Sequence, residues 1–319
     1  MFRKQLALIA VVCALFARNL EAEDFYGDLY NGPGKTFVVD GHDFNVFGSI
    51  QNFGTMYIVD ALWSEYEFQN SGLIVVLGDK CSADQSLKNY AAGIIKGYGL
   101  INSDSCIENK GLIWSMGGSL LLNSWDDPKK VGISNSGTLR NNPGTSLTAI
   151  VLVPNVNNHG TIEINADGAV VFDCNNLNNE PNSVIKLYGG TLAAKIVTQK
   201  AGATFEGFGG ITGNLVIEPK AVVKLTGPTN IVGDVNIAKD ATLEIRDGTI
   251  LVTGQTTCNG TIHLKGGQII TQGGLSGNCN IIREPSVSTV IADFNLDGNI
   301  DLNDFADLAV TWLQQAGWN

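Results

Sequence analysis

The residues with the clearest chemical potential lie near the end of the chain, between Asp293 and Asp304. Within this stretch, oxygen-bearing side chains fall at positions 1, 3, 5, 9 and 12, and Gly298 occupies position 6. A hard cation such as Ca2+ takes about six to eight oxygen ligands, and this spacing allows a short loop to supply them. Gly298 permits the sharp turn because no Cβ obstructs a positive φ. The spacing therefore predicts a calcium-binding loop.

Apolar side chains at helical spacing follow the loop, at residues 305, 308, 309, 312 and 313. Aspartate at position 12 followed by such a helix resembles a dockerin type I repeat, an EF-hand-like calcium motif. The resemblance is confined to residues 293–319 and implies Ca2+ as the cofactor. The ligands that it implies are Asp293, Asn295, Asp297, the Asn299 carbonyl, Asp301 (directly or through a water) and Asp304.

Dockerins carry two such repeats, and one is found in this sequence. The resemblance implies a tail for attachment, with a cohesin-like protein, another cell-surface protein or a polysaccharide as the partner. The tail could equally cap the last turn of its own domain. The alternative interpretation of the same residues is an acidic, Asn-rich turn ahead of a helix.

The beginning of the chain has the pattern of a secretory signal peptide. Arg3 and Lys4 precede an apolar run from Leu6 to Phe16, and Ala22 ends the segment before two acidic residues. The run is too short for a permanent membrane-spanning helix, and no later stretch is long and apolar enough. We therefore expect residues 1–22 to be cleaved and the chain to be secreted to the outside or surface of a bacterial cell, without a transmembrane segment.

Composition narrows the classes of fold and partner. The formal net charge is −11, which disfavours nucleic acid and anionic membranes as partners, and acidic polysaccharide as well unless calcium bridges the two. Only 16% of residues are charged, and 38 are glycine. Helix patterns are scarce before residue 300. This composition is typical of a β-rich chain with many turns.

The body of the chain is a repeat. Residues 213–217 and 233–237 correspond at an offset of 20, and residues 221–225, 241–245 and 260–264 recur at offsets of 20 and 19. Within each unit apolar and polar residues alternate with period two, which indicates a strand with one buried face. A crossover helix does not fit into so short a unit.

Equivalent residues at a constant offset favour coils stacked on one another. We predict an all-β, single-stranded parallel β-helix, a solenoid with ~20 residues per coil, over residues 23–283. About twelve coils fit, with Val223 directly beneath Leu243. Residues 284–292 read as a linker and residues 293–319 as the small EF-hand-like loop and helix. An antiparallel sandwich or jelly roll is the alternative fold.

Five units in the first half share Asn-x-Gly followed by an apolar strand; they begin at Asn52, Asn70, Asn109, Asn135 and Asn158. We interpret them as corners, where Asn and Gly tolerate left-handed φ and stacked Asn side chains hydrogen-bond into ladders. The units resemble repeats in bacterial autotransporter passengers and filamentous adhesins, which implies an adhesive or structural role. The Asn-rich residues 175–182 are expected to form a loop bulging from one coil.

Cysteine spacing suggests disulfides in an exported protein. Cys258 and Cys279 are expected at nearly equivalent positions of adjacent coils, close enough to bond. Cys81 with Cys106 is a second possible pair, which leaves Cys174 unbonded.

An enzyme is the main alternative function, because parallel β-helices include polysaccharide lyases and hydrolases. The offsets bring no three candidates together, so we assign no catalytic residue; the candidates are Glu163, Asp167, Asp173, Glu206, Glu218, Glu244, Asp247, Lys224, Lys239 and Arg246. Trp63, Tyr66, Phe68, Trp114 and Trp125 are expected to pack more readily than to stack on sugars. The sequence favours a secreted structural or adhesive solenoid over a polysaccharide-active or carbohydrate-binding one.

Overall fold

The computed structural model describes residues 23–40, 42–124, 132–151 and 155–284. Within them the chain forms a parallel β-solenoid of about 12 turns and contains no helix. The calcium-loop residues and the predicted leader lie outside the described residues.

In the described residues, thirty-one strands build the solenoid. The first third holds β1 (Glu23–Tyr26), β2 (Leu29–Asn31), β3 (Thr36–Val39), β4 (Phe44–Phe47), β5 (Ile50–Asn52), β6 (Thr55–Ile58), β7 (Leu62–Ser64), β8 (Phe68–Asn70), β9 (Leu73–Ala83), β10 (Leu87–Asn89) and β11 (Ile94–Ser103). The middle holds β12 (Ile107–Asn109), β13 (Leu112–Ser124), β14 (Ile133–Asn135), β15 (Thr138–Asn141), β16 (Ser146–Val151), β17 (Asn155–Asn158), β18 (Thr161–Asn165), β19 (Ala169–Asp173), β20 (Asn176–Asn179) and β21 (Val184–Gln199). The last third holds β22 (Thr204–Ile217), β23 (Val222–Val232), β24 (Val235–Ile237), β25 (Thr242–Arg246), β26 (Thr249–Val252), β27 (Thr256–Cys258), β28 (Thr261–Lys265), β29 (Gln268–Thr271), β30 (Leu275–Ser276) and β31 (Asn280–Glu284).

The strands stack on three faces, and every pairing between them is parallel. The first face begins with β1 on β4, the second with β2 on β5, and the third with β3 on β6. The longest strands turn corners without interruption: β21 and β22 contribute to all three faces. Parallel stacking confirms the predicted solenoid, and the antiparallel sandwich is wrong.

Side chains that point inward form one continuous apolar core. Val223 pairs with Leu243, and Leu243 pairs with Ile262, in one column of fully buried residues. Each coil contacts only the coils above and below it, so its apolar side chains are fully buried only when the coils stack. The predicted inward column of the later coils is therefore confirmed.

A buried polar ladder runs through the earlier coils, as predicted from the Asn-x-Gly units. Each side-chain amide donates from Nδ2 to the side-chain oxygen of the next coil, at 2.7 or 2.8 Å. Unpaired amides would be costly in this interior, and the ladder satisfies them. Its members are Asn31, Asn52, Asn70, Asn89, Asn109, Asn135, Asn158, Asn179 and Gln199.

The ladder ends at Gln199, where the longer side chain donates to the Ala203 carbonyl at 2.6 Å. Apolar Ile217 and then Ile237 occupy the same column in the next two coils. The interior therefore changes from an amide column to an aliphatic one at a residue that can satisfy its last donor locally.

The prediction that the Asn-x-Gly units use Asn and Gly for a left-handed φ is wrong. Neither the ladder asparagines nor these glycines have positive φ. Glycine is needed because the backbone of the preceding coil comes close: a Cβ on Gly137 would lie 2.1 Å from the Gly111 oxygen. Positive φ occurs instead at other corners, including Asp167 and Asp240.

The Asn-rich residues 175–182 do not bulge as a loop. Asn176–Asn179 is strand β20, which pairs with β17 and β21. Asn has a low strand propensity in general, but here Asn179 belongs to the buried ladder and its hydrogen bonds override that propensity.

The predicted disulfide between Cys258 and Cys279 is confirmed, with a Cα–Cα distance of 4.9 Å. The other proposed pair is wrong. Cys81 is buried on β9, whereas the Cys106 thiol donates to Glu108 Oε1 at 3.8 Å. The disulfide joins the last coil to the coil before it.

The last coil is open at its outer side. Ile281 pairs with the fully buried Ile262 but is itself 42% exposed. Within the described chain, β29, β30 and β31 each pair with a strand on one side only. The solenoid therefore presents free strand edges and uncovered apolar side chains at this end.

Candidate binding groove on the charged face

The outward side chains of the third face form a column in which charge alternates in sign. Strand register stacks Arg140 on Glu163, Glu163 on Lys186, Lys186 on Glu206, Glu206 on Lys224 and Lys224 on Glu244. We call these six residues the charge column. Opposite charges on directly paired residues of adjacent strands attract each other, so the column favours this register.

Most members of the charge column are engaged in ion pairs. Arg140 pairs with Glu163, and its guanidinium lies 5.9 Å from the centre of the Trp114 ring. Lys186 Nζ lies 3.8 Å from Glu206 Oε1. These contacts neutralise charge along the outside of the solenoid.

Glu244 is the most enclosed member of the column, with 7% of its surface exposed. Its carboxylate contacts Arg246 and lies 3.3 Å from Lys265 Nζ. Burial disfavours the ionised form, but the hydrogen bonds from Arg246 and Lys265 outweigh burial and lower the pKa of Glu244. Glu244 is therefore a stable carboxylate and a poor proton donor near neutral pH.

Lys224 differs from its neighbours in the column. Its two register partners are carboxylates, but Glu206 is engaged by Lys186 and Glu244 by Arg246 and Lys265. In the part of the chain that the structure describes, Lys224 makes no ion pair within 4.0 Å. Its ammonium group is thus available to an external anion.

Two aromatic side chains stand beside the charge column. Tyr188 and Phe208 are paired in register on β21 and β22, and they are 45% and 41% exposed. Gly207 has a φ of 114°, and a Cβ there would lie 1.9 Å from the Leu187 oxygen. A Cβ on Gly189 would lie 3.2 Å from the Phe208 ring. Gly207 therefore permits the positive φ and the close approach of the preceding coil, and Gly189 leaves room for the Phe208 ring.

The charges and the rings line one open groove with a volume of about 320 Å³. This volume falls within the range of roughly 300–1,000 Å³ that is usual for ligand sites. The residues that line it are Lys186, Leu187, Tyr188, Glu206, Gly207, Phe208, Lys224, Thr226 and Arg246.

The structure brings together three residues that were considered as catalytic candidates: Glu206, Lys224 and Arg246. The expectation that no three would cluster is therefore wrong. Glu163 and Glu244 lie in the same column, and each pair of carboxylates there is separated by a lysine. By contrast, Asp167 and Asp247 occupy corners with positive φ.

The aromatic candidates from the sequence mostly pack. Phe68 is fully buried, Trp63 donates from Nε1 to Asp84 at 2.6 Å, and Trp114 donates to Asn142 at 3.1 Å. Tyr66 is 44% exposed, and Trp125 lies outside the described residues. Sequence reasoning missed Tyr188 and Phe208, although their separation of one repeat, each beside glycines, was a usable signal.

Among the described residues, no group of three or more His, Cys, Asp or Glu side chains could hold a metal ion. The implied calcium ligands Asp293, Asn295, Asp297, Asn299, Asp301 and Asp304 lie outside those residues, so they stay a prediction. No helix in the described part of the chain could cross a membrane.

No protein-family model matches the sequence, and no curated protein matches it. One solved structure that does match is the crystal structure of a TibC-catalysed, hyper-glycosylated fragment of TibA. That match covers 80% of this chain and 100% of the fragment, at 14% sequence identity and a TM-score of 0.36.

Proposed function

We propose that this protein is a secreted structural or adhesive rod of the bacterial cell surface. The observation that carries the proposal is the stack of parallel coils, which extends from β1 to β31 around a single apolar core. Such a stack keeps its outward columns in fixed register and displays them over a long surface, as an adhesive or structural element requires. The predicted leader at residues 1–22 supports export.

We assign attachment or capping to the tail, residues 293–319. Residues 293–304 bind Ca2+ through Asp293, Asn295, Asp297, Asn299, Asp301 and Asp304, and the following segment docks on a partner or on the open last coil. The uncovered Ile281 and the free edges of β29, β30 and β31 support capping, because residues 285–319 continue from this end. A cohesin-like protein, another surface protein or a polysaccharide is the expected external partner.

Two measurements on the full chain test this proposal. Expressed with its leader in a bacterial host, the protein is expected outside the cytoplasm and on cells, and a cytoplasmic location would contradict export. In calorimetry, the wild type and an Asp79→Ala control bind Ca2+, whereas Asp297→Ala binds much more weakly. Asp79 is an exposed carboxylate on the solenoid and matches the change in charge. Absence of wild-type binding at millimolar Ca2+ would remove the calcium role.

A polysaccharide lyase or hydrolase is the second candidate function. Glu206, Lys224 and Arg246 in one groove favour it, because acid–base chemistry on a sugar uses carboxylates together with cationic groups. An assay for reducing ends and for 4,5-unsaturated products on a polysaccharide panel distinguishes an enzyme from a binding surface. Turnover that is lost in Glu206→Gln would favour the enzyme.

A further inference from the structure

We propose that the groove beside Tyr188 and Phe208 binds a saccharide unit that carries a carboxylate. This inference rests on the proposed adhesive function and names the chemical class that the adhesive surface recognises. It follows from three features of the groove: two exposed rings in register, a lysine that makes no ion pair among the described residues, and an excess of positive charge. Each feature is local, and together they specify a flat ring with one anionic substituent.

The rings provide a platform for the apolar side of a sugar. Tyr188 and Phe208 belong to adjacent coils and are therefore about 4.8 Å apart along the solenoid axis. This step is comparable to the length of one sugar unit in a chain. Exposed aromatic faces make favourable contacts with C–H groups, and the Tyr188 hydroxyl can hydrogen-bond to a sugar hydroxyl.

Lys224 beside the platform supplies the anion site. Three of the four charged residues that line the groove are cations: Lys186, Lys224 and Arg246. The whole chain has a net charge of −11, so this groove differs in sign from the chain as a whole. Because Glu206 and Glu244 are engaged elsewhere, Lys224 can donate charge-assisted hydrogen bonds to a bound carboxylate.

Two other ligand classes match the groove and its surroundings less well. A nucleic acid carries dense negative charge that the chain as a whole repels. An acidic peptide could reach Lys224, but it would leave the two exposed aromatic rings without an apolar partner. A chain of uronic-acid type combines a ring face with one carboxylate per unit, and this combination matches the groove.

Calorimetry with the full chain tests the inference, using a tetramer of galacturonic acid and a matched tetramer of galactose as probes. EDTA is present, so that calcium cannot bridge carboxylates of the ligand and the protein. We expect the wild type to prefer the acidic tetramer. Lys224→Gln should weaken binding of the acidic tetramer by about tenfold and leave the neutral one unchanged. Phe208→Ala should weaken binding of both by about tenfold.

Tyr66→Ala and Lys239→Gln serve as matched controls, because both side chains are exposed and lie away from the groove. Failure of both tetramers to bind, or binding that the groove variants do not alter, would overturn the inference. A tetraglutamate peptide that binds as well as the acidic sugar, with the same loss in Lys224→Gln but none in Phe208→Ala, would replace the saccharide by a peptide. If glycan binding fails while cell-surface attachment persists, the inference falls and the proposed function stands; loss of export and attachment is a failure of the function itself.

Discussion

Single residues help to hold the outer surface of the solenoid in register, and Glu244 is one of them. It is the most buried carboxylate of the charge column, and it contacts both Arg246 and Lys265. The pKa of Glu244 is lowered in the folded state. Ionised Glu244 therefore stabilises the fold at pH values above 4.5, which is the ordinary pKa of a glutamate side chain. This contribution disappears as the pH falls through the lowered folded-state pKa.

We predict that Glu244→Gln lowers the free energy of unfolding by about 1–2 kcal/mol at neutral pH. The difference from the wild type should shrink as the pH falls below 4.5 and through the lowered folded-state pKa, because the wild-type carboxylate becomes protonated. Urea unfolding of both proteins at pH values from neutral to below 4.5 measures this difference in the free energy of unfolding. Glu206→Gln is the control, since Glu206 is 43% exposed and its lysine partner is 3.8 Å away. An equal, pH-independent loss in both variants would contradict the assignment.

At the scale of strands, β20 offers a direct comparison between the inside and the outside of one element. Asn179 accepts from Asn158 and donates to Gln199, both at 2.8 Å, within the buried ladder. Its neighbour Asn178 points outward and donates to Asn157 at 2.9 Å. The two side chains are both asparagine and lie on the same strand, but Asn179 is buried and Asn178 is partly exposed.

We predict that Asn179→Ala destabilises the protein by about 2–4 kcal/mol, because it leaves the Asn158 amide and the Gln199 oxygen short of a buried partner and opens a cavity. Asn178→Ala should cost about 0.5 kcal/mol or less, because water replaces its hydrogen bond. The midpoints of urea unfolding measure both. Similar losses for the two variants would show that the ladder adds nothing beyond ordinary strand hydrogen bonds.

The strands also show how far the sequence could predict this structure. The later coils were predicted with the right register, because Val223, Leu243 and Ile262 recur at nearly constant offsets. The groove was not predicted, because coil length varies: Glu163 pairs with Lys186 but Glu206 pairs with Lys224, so one fixed offset cannot align the charge column. Strand β20 was missed because a run of asparagines favours turns unless a buried ladder satisfies it.

For the whole molecule, stacking means that each coil is stabilised mainly by its immediate neighbours. Within the described chain, the last coil has a neighbouring coil on one side. The disulfide between Cys258 and Cys279 cross-links the two coils. In the chain-entropy description, a closed loop of about 20 residues stabilises by roughly 3 kcal/mol. The disulfide should therefore protect one end of the rod and leave the middle unaffected.

We predict that the double variant Cys258→Ala and Cys279→Ala exchanges amide hydrogens faster in β29, β30 and β31, by up to about a hundredfold. Exchange in the coils before β24 should stay unchanged, because the loss is confined to an end unit. Hydrogen exchange followed by mass spectrometry resolves the two regions. Cys174→Ala is the control: burial raises the pKa of that thiol to about 11, so it is protonated at neutral pH and not poised for disulfide exchange. Faster exchange along the entire solenoid in the double variant would contradict local coupling and show that the rod unfolds as one cooperative unit.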